Sequence, residues 1–106
     1  DNMAIAAAHS LANYAEKRGI HPDNIVPNME EAGVFPEEAA DVAMQAIKDG
    51  VARLSFSREE VFETALSEIN QARALMHNMM EQGFIKAPPM EILNEVLQAC
   101  LNEFKS

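Results

Sequence analysis

The sequence is poor in cysteine, in basic residues and in long apolar runs. Its one cysteine, Cys100, has no intramolecular partner for a disulfide, so we expect a reducing, cytoplasmic environment. Only 8 of the 106 residues are Lys or Arg, against 17 Asp or Glu, and the formal net charge is −9. Because phosphate neutralisation needs a dense basic face, a nucleic-acid partner is excluded.

No apolar run is long enough to cross a bilayer, and the sequence lacks the basic start and following hydrophobic stretch that are typical of a leader peptide. We therefore expect no membrane partner. The sequence begins at Asp1 rather than at methionine, which suggests a chain processed or cut from a longer protein, most simply as an engineered fragment. With 48% hydrophobic residues it can bury a core, although its stability at this length would be modest.

What the sequence does have is helical periodicity. A first helix is predicted over residues 2–18, with a stripe of small residues followed by Gly19 just past its end; the stripe contains Ala4, Ala8, Leu11 and Ala15. So many alanines on one face indicate close approach by a neighbouring element. The following segment is predicted to be a loop, with Ile25 and Val26 as a possible very short strand ended by Pro27.

A second helix is predicted from Pro36, which suits a first helical turn, to Gly50, which ends it. Ser57 and Glu60 have the spacing of a capping box at the start of a third, longest helix, which runs to about Gly83. Phe56 and Val61 flank this cap at the positions of a hydrophobic staple.

The fourth helix starts after Pro88 and Pro89 and has a wide apolar stripe that calls for more than one neighbour; the stripe contains Ile92, Leu93, Val96, Leu97, Cys100, Leu101 and Phe104. Because the connection to the third helix is short, we expect an antiparallel helical hairpin. Leu97→Asp or Leu101→Asp should then bury an unpaired carboxylate and disrupt the hairpin. The isolated chain is therefore predicted to be all-α, with about four helices.

Side chains that could carry chemistry do not assemble into a site. His9, His21 and His77 are far apart in sequence, and His21 with Asp23 is too small a set for a metal centre. Ser10 follows His9, but adjacent helical residues diverge, so no nucleophile and base are paired. Cys100 is expected to be buried as a small hydrophobe.

The remaining candidates also have structural explanations. The acidic pairs at residues 30–31, 37–38 and 59–60 are not acid–base dyads, and two of them suit the positive ends of helices. Met76, Met79, Met80 and Met90 indicate core packing or a self-association seam, with an adaptable binding face as the alternative. We predict no catalytic, cofactor-binding or metal-binding residue in this chain.

Three segments, in order and with their spacing, resemble the last part of malic enzymes of the bacterial type. MAIAAA at residues 3–8 is similar to a Met-x-Ile-Ala-Ala-Ala helix start, and DNIVP at residues 23–27 is similar to Asp-Tyr-Ile-Ile-Pro. The next helix leads to GVAR at residues 50–53, which resembles the way many of those enzymes end. After Pro27 the sequence departs from the family's pattern, with Asn-Met-Glu-Glu in place of a small residue, Phe-Asp and a basic residue.

The resemblance covers about residues 2–54 and implies that residues 1–54 are the C-terminal segment of a nucleotide-binding domain, at the edge of an α/β fold. Residues 55–106 would be a helical hairpin extension without counterpart in the short bacterial enzymes. Malic enzymes oxidise and decarboxylate malate to pyruvate with NAD or NADP and a divalent metal, Mg or Mn. The residues that bind those groups lie upstream of this stretch in the family, so none is carried over.

The resemblance implies two partners, the remainder of the parent enzyme and further copies in a homo-oligomer. Because the alanine-rich face has no evident partner within the chain, we expect the isolated fragment to self-associate. Two alternatives from other classes remain open at this stage. One is a freestanding acidic helical module for protein–protein interaction, and the other is a small metal-binding regulator that uses His21 and Asp23.

Overall fold

The computed structural model describes residues 1–105, and these form four α-helices. They are α1 (Asn2–Arg18), α2 (Val34–Lys48), α3 (Arg58–Glu81) and α4 (Met90–Lys105). The described residues form no strand; the segment at Ile25 and Val26 is loop, and its only β-like feature is an isolated bridge between His21 and Asn24. The all-α prediction with four helices is confirmed.

The chain divides into two compact units, Asp1–Gln71 (unit 1) and Ala72–Ser106 (unit 2). The division lies inside α3, whose 24 residues make a helix about 36 Å long. A separation of roles at residues 54 and 55 remains a prediction, because the compact units divide elsewhere.

Unit 1 is built on the packing of α1 against α2. Its buried residues are small: Ala15 and Ser10 come from α1, while Val34, Pro36 and Ala40 come from α2. Ala40 is completely buried, so it marks the position where the two helices allow no larger side chain. The α1 stripe was predicted from its alanines, yet Ala4 and Ala8 are exposed and Ala15 alone of the predicted alanines is buried.

The ends of α2 show why the helix stops where it does. Gly50 has a φ of 71°, which a residue with a side chain rarely adopts. The Gly50 N–H donates to the Ile47 carbonyl at 3.1 Å, and the Val51 N–H donates to the Ala46 carbonyl at 3.1 Å. This is the Schellman pattern, and it satisfies carbonyls that the helix itself leaves unpaired.

The predicted capping box at the start of α3 is confirmed. The Ser57 N–H and hydroxyl donate to Glu60 Oε2 at 2.8 and 2.9 Å, and the Glu60 N–H donates to Ser57 Oγ at 3.2 Å. These bonds satisfy free donors of the first helical turn.

In unit 2, α4 follows residues 72–81 of α3 through a short connection, as predicted, but does not pack on them. Every described residue of α4 is exposed, including the whole apolar stripe. The expectation that α4 is buried in an intrachain hairpin is therefore wrong. A short connection makes two helices neighbours in sequence, but an apolar stripe does not say which chain covers it.

Candidate functional site

An apolar groove runs along the alanine-rich face of α1 and the loop that follows it. Its volume is about 320 Å³, and its lining residues are Ala8, Leu11, Ala12, Ala15, Glu16, Ile20, Ile25 and Val26. The three loop residues of this set are 53%, 61% and 65% exposed, respectively. Three large β-branched side chains in one open groove are uncommon on a free surface, so the groove is suited to packing against another apolar element.

The loop is held beside α1 by Arg18. Its guanidinium pairs with Glu31, and it also donates to the Asn24 carbonyl at 3.1 Å and to Asn24 Oδ1 at 2.9 Å. Glu31 in turn accepts the Asn28 N–H at 3.0 Å. One side chain thus fixes two separate parts of the loop, and this keeps Ile25 and Val26 at the groove.

A second, polar cleft of about 180 Å³ lies between α1, α2 and the first residue of α3. It is lined by Ser10, Asn13, Tyr14, Lys17, Glu37, Asp41 and Arg58. Arg58 NH2 donates to Glu37 Oε2 at 2.6 Å and to Asp41 Oδ1 at 3.0 Å. The bonds to Glu37 and then to Asp41 raise the pKa of Arg58 above its ordinary value.

This cleft is a structural ion-pair cluster and not an acid–base site. Both carboxylates are engaged by the same guanidinium, so neither is placed to accept a proton from a substrate. Ser10 is 3% exposed, and its hydroxyl has no hydrogen-bond partner among the described residues. No histidine lines the cleft to activate that hydroxyl, so it is not an activated nucleophile.

The third feature is the uncovered apolar surface of unit 2. The α4 stripe is exposed throughout, with Phe104 at 90%. The methionines predicted as core or seam, Met76, Met79, Met80 and Met90, are exposed as well. An intrachain core is therefore not formed by these residues, and the seam and the binding face remain as explanations.

The side chains considered for chemistry remain apart. His9 and His21 are exposed, and His77 Nε2 lies 3.0 Å from Glu81 Oε1 one helical turn away. Cys100 is exposed, so the prediction of burial is wrong; the apolar stripe around it has no covering partner in the chain. Of the acidic pairs, Glu31 binds Arg18, Glu37 binds Arg58 and Glu60 caps α3.

Residues 1–105 contain no group of three or more His, Cys, Asp or Glu residues that could hold a metal ion. Within the same residues, no helix has both the length and the apolar character needed to cross a membrane. The features that sequence reasoning missed are the Arg18 clamp and the Arg58 cluster. Both join residues distant in sequence, and no local pattern signals such pairs.

Comparison with known proteins gives one clear likeness. The chain is similar to the malic enzyme of Entamoeba histolytica, known from a crystal structure, with 49% sequence identity and a TM-score of 0.86. The likeness covers 99% of this chain and 22% of that one. The chain matches no protein-family model, and no curated protein matches it.

This likeness extends the resemblance drawn from residues 2–54. Since it covers 99% of the chain, it includes residues 55–106, for which the bacterial-type resemblance offered no counterpart. The extension therefore has an equivalent in a malic enzyme, and a restriction to the bacterial type is not supported.

The residues present do not fit the nicotinamide cofactor or the divalent metal that malic enzymes use. Gly19, Gly50 and Gly83 are scattered at helix ends rather than gathered in a phosphate-binding turn, and the described residues include no metal-binding cluster. No step of malate chemistry can be derived from this chain. In sequence and in fold, nearly the whole of this chain is similar to a segment of a malic enzyme, and it spans 22% of that enzyme's length.

Proposed function

We propose that this chain is a non-catalytic, C-terminal segment of an NAD(P)-dependent malic enzyme that serves packing and oligomerisation. The observation that carries the proposal is 49% identity over 99% of the chain to a malic enzyme. At that identity the fold and the general role of a segment are usually shared. The parent would oxidise and decarboxylate malate to pyruvate in the cytoplasm, with NAD or NADP and Mg or Mn as cofactors.

In this proposal the apolar groove is a packing surface for the remainder of the enzyme. Small side chains on α1 let a neighbouring backbone approach closely, and Ile20, Ile25 and Val26 supply the apolar area. Residues 1–54 then form the edge of the nucleotide-binding domain, and residues 55–106 serve assembly. Arg18 holds the loop that carries Ile25 and Val26 beside α1, and this fixes the packing surface.

The experiment that tests the proposal is an assay of the full-length parent chain for malate-dependent reduction of NAD and of NADP with manganese present. We expect activity with at least one cofactor. The isolated chain of 106 residues, assayed in the same way, should be inactive because it lacks both sites. No activity of the parent with either cofactor would remove the proposed function.

The groove can be tested in the same parent enzyme. Ile25→Asp places a carboxylate on the packing surface and should lower the melting temperature of the nucleotide-binding domain. The matched control is Met29→Asp, which introduces the same charge at a loop residue that is 83% exposed and does not line the groove. Equal effects of the two substitutions would show that the groove is not a packing surface.

A freestanding acidic interaction module is the second candidate, and the complete exposure of the α4 stripe is the observation that favours it. The two functions predict different gene sequences upstream of Asp1. A reading frame that continues far upstream and encodes a Gly-rich turn after a strand supports the enzyme, whereas a start codon just upstream of Asp1 supports the module.

A further inference from the structure

The methionines of this chain are concentrated at the end of α3. Four of the seven lie between residues 76 and 90. Three of these, Met76, Met79 and Met80, are spaced by three and four residues, so they share one face of the helix, the methionine face. They are 53%, 38% and 38% exposed, respectively. Small solutes in the surrounding water can therefore reach them.

Packing within the chain does not account for methionine at these positions. Among the described residues, α4 does not pack on α3, and no residue of α3 is buried. Leucine would supply a similar apolar area and a similar helix propensity. What methionine adds is a flexible side chain and a thioether sulfur, which an oxidant converts to a polar sulfoxide.

We propose that the methionine face is a reversible oxidation site, at which a peroxide turns an apolar surface into a polar one. The O–O bond of hydrogen peroxide breaks, one oxygen forms a bond to the sulfur, and the other leaves as water. The sulfur is oxidised by two electrons and the peroxide is reduced. Methionine sulfoxide reductases reverse the step with two thiols, which form a disulfide while the oxygen leaves as water. The inference goes beyond the proposed function and does not depend on it.

The position of the face at the end of α3 gives oxidation a second effect. The Gly83 N–H donates to the Met80 carbonyl at 3.0 Å, and the Ile85 N–H donates to the Met79 carbonyl at 3.1 Å, so the helix ends directly beside these methionines. This is the negative end of the helix dipole, and the last turn of α3 contains no Lys or Arg. A sulfoxide adds a partly negative oxygen there without a cation beside it. Oxidation should therefore weaken the last turn as well as remove apolar area.

The test is peroxide treatment of the 106-residue chain in three forms. All three carry Cys100→Ser, because that exposed thiol is oxidised as well. The first has no further change, and the second carries Met76→Leu, Met79→Leu and Met80→Leu, which retain volume and helix propensity. The third is the matched control, Met29→Leu, at a loop residue of unit 1 that is 83% exposed.

Three measurements follow the reaction. Trypsin cleaves after Arg73 and Lys86, so one peptide contains the whole face, and mass spectrometry should find up to three added oxygens in it. Retention on a phenyl resin should fall, and circular dichroism should lose about one turn of helix, in the first form and in the Met29→Leu control. In the triple-leucine form both should change less than about half as far. Treatment with sulfoxide reductases should restore both properties.

Three results would overturn the inference. One is an equal loss of retention and helicity in the triple-leucine form and in the Met29→Leu control, which would assign the effect to other methionines. Another is a peptide of residues 74–86 without added oxygen under conditions that oxidise Met29. The third is a loss that the reductases do not reverse.

The full-length parent separates failure of this inference from failure of the proposed function. Oxidation of the same peptide in a parent with malate-dependent activity supports both. An active parent whose peptide gains no oxygen retains the function and refutes the oxidation site. A parent without activity refutes the function, while mass spectrometry of its peptide still decides the oxidation site.

Discussion

At the scale of single residues, the Ser57–Glu60 cap gives the start of α3 a dependence on pH. The bond from the Ser57 N–H, and then the bond from its hydroxyl, lower the pKa of Glu60 below its ordinary value of 4.5. A carboxyl whose pKa is lowered by folding adds stability above its unfolded pKa. That stability is lost as the pH falls through the lower, folded pKa.

We therefore predict that the helicity of the isolated chain falls below pH 4.5, in part through protonation of Glu60. Glu60→Gln retains a capping box, because Gln can occupy the same position, but it removes this part of the acid dependence. Acid titration followed by circular dichroism measures the difference. Glu63→Gln, which removes a charge outside the cap, is the control, and an identical acid response in both variants would contradict the prediction.

Arg18 is the residue on which the loop conformation depends most. Arg18→Ala removes the ion pair with Glu31 and both bonds to Asn24, and we expect unit 1 to lose about 1–2 kcal/mol because the pair is partly screened by solvent. Urea unfolding measures the change. Lys17→Ala, at the exposed neighbouring position, should change stability by less than about 0.5 kcal/mol; similar losses in both variants would show that Arg18 does not hold the loop.

At the scale of elements, the contact between α1 and α2 is set by small side chains. Ala40 is 0% exposed, so Ala40→Leu must push the helices apart, and we expect a loss of about 1–3 kcal/mol. Ala4→Leu makes the same change at an exposed position of α1 and should be close to neutral. Thermal unfolding of the two variants compares them, and a neutral Ala40→Leu would mean that the helices are not closely packed there.

The helices could be predicted from the sequence because their signals are local. Gly50, Pro36 and the Ser57–Glu60 pair act within a few residues of their positions, and the predicted limits of α1 agree with the structure. Burial is not local. Ala4 and Ala15 lie in one alanine-rich stripe on the same face of α1, but only the second is buried, because burial depends on the tertiary contacts made at each point along the helix.

The difference between local helix signals and non-local burial also changes the predicted effect of substitutions in α4. Leu101 is 41% exposed, so Leu101→Asp does not bury a carboxylate within the isolated chain, and its large predicted cost to intrachain stability no longer holds. What the substitution affects is the exposed apolar stripe of α4.

At the scale of the whole molecule, residues 55–106 can be removed from the parent enzyme as a test of their role. We predict that the truncated enzyme retains its nucleotide site, because the resemblance places that site upstream, and that its assembly state falls. Sedimentation and NAD(P) binding measure the two properties in one preparation. Unchanged sedimentation would refute a role of this segment in assembly.

The candidate surfaces could be predicted only in part, because the sequence does not show which apolar faces the tertiary fold leaves uncovered. The sequence indicated an alanine-rich face and a wide stripe on α4, and both are uncovered in the structure. It did not indicate the polar cleft, which forms only when α1, α2 and Arg58 come together. A cluster of this kind depends on tertiary contacts that no single segment encodes.

The exposure of α4 also has a kinetic consequence. A helix of 16 residues with no packed face is marginal in water, so its backbone hydrogen bonds open and close rapidly in a lone chain. Its amide protons should then exchange with solvent almost freely, while those of α1 and α2 are retained by the packing of unit 1. The protection of α4 against hydrogen exchange would therefore report on assembly over time, since it appears only when, and for as long as, the helix is covered.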